Sequence, residues 1–218
     1  MNNILYINDY MYNLEKQFLE GEDKKYIEVC KNIYGVNIDK ISINIWTSHI
    51  MDEFRENIIK NCKDVNNIEE ISKEIYNTLK KDRKKIILYA YLKGHICGYN
   101  DYKLIIDFKY KYKIKSINNS EKYLLKYDEF EEFLDFIKNN KSEDFNSDIM
   151  LKNINNYYIE NIKKDILTIN IDFDKERLIN IVEETIIKEV IKKYNEGILY
   201  GILYKINKKA LKINKMGL

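Results

Sequence analysis

Proline is absent from this chain, and glycine occurs only seven times in 218 residues. Turns and helix stops must therefore be marked by Gly, Asn, Asp and Ser. Cysteine is scarce as well. Cys30, Cys62 and Cys97 are odd in number and widely spaced, which argues against a disulfide framework and for buried thiols in a reducing cytosol. There is no Cys-x-x-Cys, and the only two histidines, His49 and His95, do not form an i, i+4 pair. A metal site built from sequence-adjacent ligands is therefore not expected. His95 and Cys97 are two residues apart, so on a helix their side chains diverge by about 200° and cannot readily share one ion. The longest apolar run, "IILYAYL" (86–92), is too short to cross a bilayer. The opening "MNNILYINDY" has no basic n-region and is not read as a signal peptide. The net charge of +2 exerts no global pull towards nucleic acid or membrane. A cytoplasmic protein without membrane contact and without a cofactor is expected.

Hydrophobic residues make up 45% of the chain and charged residues 33%, the balance of a globular protein with a real core. Ile, Lys, Asn and Tyr dominate, whereas Ala, Val and Arg are few. The favoured residues have A/T-rich codons. A source in an A/T-rich bacterium, or in a phage or plasmid living in one, is expected. The abundance of tyrosine is then no functional signal by itself.

Apolar spacing predicts a helix over 9–20 (Met11, Leu14, Phe18) and another over 23–34 (Tyr26, Ile27, Cys30, Ile33, Tyr34). Each is followed by a glycine, Gly21 and Gly35, in the position of a C-terminal stop. Further helices are predicted after Thr47 and Ser48, which could cap one with Ile50, Met51, Phe54, Ile58 and Cys62 on its face, and after the capping-box pair Asn67 and Glu70. Residues 83–100 are apolar almost all round and should be central. Later helices are predicted after Asp128, over 147–163 and from about Asp174 to 207.

Three segments alternate with period two and are read as strands: 40–46, 104–115 and 166–173. The second shows Lys109, Lys111, Lys113 and Lys115 on its polar face, and the third shows Asp172 and Asp174. The fold expected is α+β, mostly helical, with a small antiparallel sheet of about three strands packed against helices. A single domain spanning 1–218 is expected, with residues 1–35 as a helical-hairpin lobe.

Four of the seven glycines fall in two equal frames, "GHICG" (94–98) and "GILYG" (197–201). Glycine inside a helix costs about 1 kcal/mol relative to alanine, so each pair calls for a compensating gain. Ala90, Gly94 and Gly98 form one small-residue stripe, and Gly197 and Gly201 form another. Small residues at this spacing let two backbones approach closely. The two helices are expected to cross here, or one glycine face is an interface for a second copy or a partner helix. A phosphate loop lacks its strand-to-helix context and its Lys-Ser/Thr ending.

No catalytic constellation stands out. Ser48 or Cys97 could join a histidine and an acid only across the fold, and neither sits in a nucleophile turn. The acids Glu129, Glu132 and Asp135 lie on the polar side of Phe130, Phe133 and Ile137, as a solvated face would. Charge, however, is segregated. Residues 80–115 carry eleven Lys/Arg and three Asp, residues 116–148 carry four Lys and nine Asp/Glu, and residues 204–218 carry five Lys and no acid. As a strand, Lys109, Lys111, Lys113 and Lys115 would stand about 7 Å apart on one face, near the repeat of a phosphate backbone. Tyr110 and Tyr112 could stack bases if their face were open.

The function expected first is a small interaction protein that binds and modulates another macromolecule. It would be phage- or mobile-element-encoded and directed at host machinery, defence systems included, with a protein as partner. Nucleic-acid binding through Lys109, Lys111, Lys113 and Lys115, helped by the basic C-terminal tail, is the alternative. The third reading is an enzyme whose site, with His49, His95 and Cys97 as first candidates, is assembled only in three dimensions.

Overall fold

The computed structural model describes residues 2–21, 23–36, 38, 44–45, 48, 52, 55–60, 68–103, 107, 132, 136, 147–170 and 174–215. Its elements are α1 (Asn2–Glu20), α2 (Asp23–Tyr34), α3 (Ile68–Asn100), α4 (Ser147–Ile154), a π-helical turn (Asn155–Ile159), α5 (Glu160–Thr168) and α6 (Lys175–Lys215). The chain divides into two compact units, Met1–Asn37 and Ile38–Leu218.

In the first unit, α1 and α2 pack as a hairpin. Gly21, at φ 118°, makes the turn, and its N–H donates to the Phe18 carbonyl at 3.1 Å. The left-handed backbone there would strain any other residue. The hairpin core is Leu14 and Phe18 from α1 against Tyr26 and Cys30 from α2, with the Phe18 and Tyr26 rings 5.2 Å apart.

In the second unit, two long helices dominate. By the 1.5 Å rise per residue, the 33 residues of α3 span about 50 Å and the 41 residues of α6 about 60 Å. Residues expected to form two helices, around 68–79 and 83–100, are one continuous α3. The lysine-rich stretch between them does not break it, because lysine is a good helix former and no proline or glycine intervenes. At the start of α6, Asp174 Oδ1 accepts the N–H groups of Glu176 and Arg177 at 3.0 and 3.2 Å. This satisfies two of the four orphan donors at the helix N-terminus.

Between the long helices, α4, the π turn and α5 form one interrupted rod. Ile154, Tyr158, Ile162 and Ile166 make its buried stripe. Asn153 donates to the Tyr89 hydroxyl of α3 at 2.9 Å, and Lys163 pairs with Glu183 of α6 at 3.1 Å. Advancing along the rod therefore means moving back along the long pair, so the rod runs antiparallel to it.

The α+β expectation is wrong: among the described residues there is no strand, and the fold is all-α. In segment 40–46, Asn44 and Ile45 are helical, and the Ser48 hydroxyl donates to the Asn44 carbonyl one turn back. In segment 104–115, Asp107 is helical, with its N–H on the Lys103 carbonyl at 3.3 Å. The other residues of that segment, Lys109, Lys111, Lys113 and Lys115 among them, lie outside the described residues. In segment 166–173, Ile166–Thr168 close α5, and the chain turns extended only at Ile169. The physical reason is an ambiguity of period. Alternation is read from Leu167, Ile169 and Ile171, but Ile162, Ile166 and Ile169 also recur at helical spacing. Those three are buried, whereas Leu167 is left exposed. Packing chose the helical period.

The contact between α3 and α6 is backbone on backbone. A Cβ built on Gly94 would fall on the carbonyl oxygen of Tyr194, and one on Gly98 on that of Ile198. In return, a Cβ on Gly197 would fall on the carbonyl oxygen of Tyr91, and one on Gly201 on that of His95. Residue numbers rise together on both sides, so the helices run parallel. The two stretches share the pattern Tyr-x-x-Gly-x-x-x-Gly, at Tyr91–Gly94–Gly98 and Tyr194–Gly197–Gly201. Exchanging the helices maps this contact set onto itself, so the crossing has a local pseudo-two-fold axis. The glycine hydrogen that replaces each Cβ points at a carbonyl oxygen, the arrangement of a Cα–H···O contact. Ala90, wholly buried, continues the stripe on α3.

Two outcomes follow for stability. Gly98→Ala would gain about 1 kcal/mol of helix propensity, yet its methyl must displace main-chain atoms of Ile198, 2.7 and 2.8 Å from the Cβ position. A net loss of about 2 kcal/mol is expected in urea unfolding; a raised midpoint would refute the crossing. Asp174→Ala should cost about 1 kcal/mol in the same assay, and Asp174→Asn much less, since Asn also caps well.

Candidate functional site

The crossing lines up side chains along one flank of the two helices. On α3, Tyr91, His95 and Tyr99 recur every four residues; on α6, Tyr200, Tyr204 and Lys208 do the same. They interleave as a ladder. Tyr91 meets Tyr200 with ring centroids 6.2 Å apart, His95 meets Tyr204 at 6.3 Å, and Tyr99 meets Tyr204 at 6.2 Å. All three contacts are tilted, with 32° to 48° between the ring planes, and none is a face-to-face stack.

The two sides of the ladder differ in exposure: Tyr91 and His95 of α3 are buried, whereas Tyr200 and Tyr204 of α6 are 54% and 36% exposed. At its outer end, Lys205 Nζ lies 3.8 Å from the Tyr99 ring centroid. Lys208 Nζ lies 5.7 Å from the Tyr99 ring and 5.8 Å from the Tyr204 ring, and donates to the Tyr99 hydroxyl at 3.5 Å. Both ammonium groups are within cation–π range. Among the described residues, neither Lys205 nor Lys208 forms an ion pair with a carboxylate.

Acidity differs between the two ends of the α3 side. Burial, then the neighbouring Tyr200 and Glu196, push the Tyr91 phenol far above the ordinary tyrosine value. At Tyr99, burial also pushes upward, but Lys205 and Lys208 outweigh it through hydrogen bonding and charge and hold the phenol below its ordinary value. One end of the ladder is thus fixed neutral, and the other sits in a positive potential.

Of the residues singled out from sequence, Ala90, Gly94, Gly98, Gly197 and Gly201 lie where α3 meets α6. His95 is on the ladder. Cys97 faces another way, accepting a hydrogen bond from the Tyr194 hydroxyl at 3.6 Å. It borders a cavity of about 480 Å3 lined with Asn100, Asp101, Tyr102 and Lys103. His95 and Cys97 are therefore not brought together. His49 and Cys62 lie outside the described residues, as do Lys109, Lys111, Lys113 and Lys115. Among the described residues, no group of three or more His, Cys, Asp or Glu side chains could hold a metal ion, and no helix is long and apolar enough to cross a membrane.

Sequence reasoning missed Tyr99, Tyr200 and Tyr204 as a group. The available signal was the i, i+4 spacing of Tyr200, Tyr204 and Lys208 beside an acid-free C-terminal stretch. That stretch is part of α6 as far as Lys215, not a tail appended to it. Comparison of the chain with protein-family models, curated proteins and solved structures finds no match.

The Tyr99 environment gives a direct check. Replacing both Lys205 and Lys208 by Met leaves burial unopposed, so the Tyr99 phenol should titrate at higher pH than in the parent protein. A 13C NMR titration of the tyrosine Cζ resonances, assigned with Tyr99→Phe, reads the shift. Salt near 1 M, where the Debye length is about 3 Å, should move the parent value in the same direction.

Proposed function

We propose that this chain is a binding protein, acting on another macromolecule through the outer end of the Tyr–Lys ladder. The observation that carries the reading is the exposure of Tyr200 and Tyr204 on α6, together with Lys208 beside the Tyr204 ring and Lys205 beside Tyr99, two cations with no carboxylate partner among the described residues. Large rings held in place by a rigid helix pair lose little freedom on binding, and unneutralised charge beside them favours an oppositely charged partner. His95 and Cys97, the side chains with the most reactive chemistry, are engaged in the packing around the helix crossing on different sides of α3. The A/T-biased composition supports a source in an A/T-rich bacterium, or in a phage or plasmid living in one; modulation of host machinery, defence systems included, is the setting proposed with it.

The test is a tagged pull-down of the full chain from host lysate, with and without nuclease, beside the Tyr204→Ala/Lys208→Glu variant. The parent protein should retain a stoichiometric macromolecule that the variant loses. Equal retention by both, or retention of nothing by either, would overturn the reading.

A further inference from the structure

We infer that the α6 side of the ladder is a binding site for single-stranded nucleic acid, with Tyr200 and Tyr204 as stacking platforms and Lys205 and Lys208 as phosphate contacts. The inference rests on the binding-protein reading and names its ligand class. Three observations carry it.

First, Lys205 and Lys208 both converge on the Tyr99 ring, at 3.8 and 5.7 Å from its centroid. Two ammonium groups held against one ring repel each other, and no carboxylate among the described residues pairs with either to relieve the repulsion. A bound anion would. Second, two rings of α6 keep exposed surface. Tyr200 and Tyr204 are 54% and 36% exposed although Tyr200 contacts Tyr91 and Tyr204 contacts His95, Tyr99 and Lys208. An unpaired base offers a flat π-face to such a ring, which a base inside a duplex does not. Third, the charge continues. Beyond Tyr204 the sequence of α6 holds Lys205, Lys208, Lys209, Lys212 and Lys215 and no acid. One helix thus places aromatic residues first and cations after them, with a rise of about 6 Å per four-residue step.

A purely acidic segment such as poly-glutamate would use the same lysines. It has neither a base nor an aromatic ring to stack, so it gives no role to Tyr200 and Tyr204. The aromatic contribution therefore separates the two ligands.

The experiment is fluorescence anisotropy with the full chain and three labelled probes: a 20-nucleotide oligo-dT, a 20-base-pair duplex and a 20-residue poly-glutamate. Oligo-dT should bind more tightly than either of the others. Tyr204→Ala should weaken oligo-dT binding about tenfold, within the range for loss of one stacked base. Tyr204→Phe should retain it. The Lys205→Gln/Lys208→Gln pair should flatten the plot of log affinity against log salt by about 1.4, or about 0.7 per lost phosphate contact. Far-ultraviolet circular dichroism of each variant should match the parent, since the replaced side chains are at the surface. The inference is overturned if oligo-dT does not bind at tens of micromolar in low salt. It is overturned equally if poly-glutamate binds as well as oligo-dT and Tyr204→Ala leaves both unchanged. If oligo-dT does not bind and the pull-down retains a nuclease-resistant protein that the Tyr204→Ala/Lys208→Glu variant loses, the binding-protein reading stands and the nucleic-acid inference falls.

Discussion

Everything described in the second unit depends on two helix backbones coming into direct contact. Four glycines let the carbonyls of Tyr91, His95, Tyr194 and Ile198 lie where side chains would otherwise stand. Glycine weakens each helix locally, by about 1 kcal/mol per residue. The gain is close approach over two turns, with dispersion and Cα–H···O contacts that a wider pair would lose. Because the helices run parallel, their connection must return along the whole pair. The rod formed by α4, the π turn and α5 makes that return, pinned to α3 at Tyr89 and to α6 at Glu183.

The same contact sets the geometry of the candidate site. Closely spaced parallel backbones bring the flanking residues of α3 and α6 into one interleaved row, so that Tyr91, His95 and Tyr99 alternate with Tyr200, Tyr204 and Lys208. Tyr91 and His95 of α3 are buried beside the crossing, whereas Tyr200 and Tyr204 of α6 keep exposed surface. Lysines at the C-terminal end of α6 also complement the helix dipole, so their presence has a structural benefit apart from any ligand. What the dipole does not require is that two of them converge on one aromatic ring with no acid among the described residues paired to either.

The sequence was legible where one period stood alone. Helices α2 and α6, the glycine stop at Gly21 and the cap at Asp174 could all be read from residue type and spacing. It misled where two periods overlapped. Ile169 fits a strand face with Leu167 and a helix face with Ile162 and Ile166, and only the neighbouring helices could decide between them. Continuity of α3 was hidden by a charged stretch that resembles a break in composition and is none in conformation. The ladder was hidden for a different reason. Its members are about a hundred residues apart in sequence, and tyrosine is so common in this chain that no single one attracts attention.

Residue chemistry by itself determined which segments favour helix, where glycine must be compensated and where lysine is left without acids. Those are local properties, fixed by backbone sterics, side-chain shape and neighbouring charge. The tertiary structure alone decided that the two glycine frames face each other in parallel register, and hence which tyrosines share a rung and which lysines reach Tyr99. Register between distant helices is set by long-range packing, a property of pairs of segments that neither segment carries in itself.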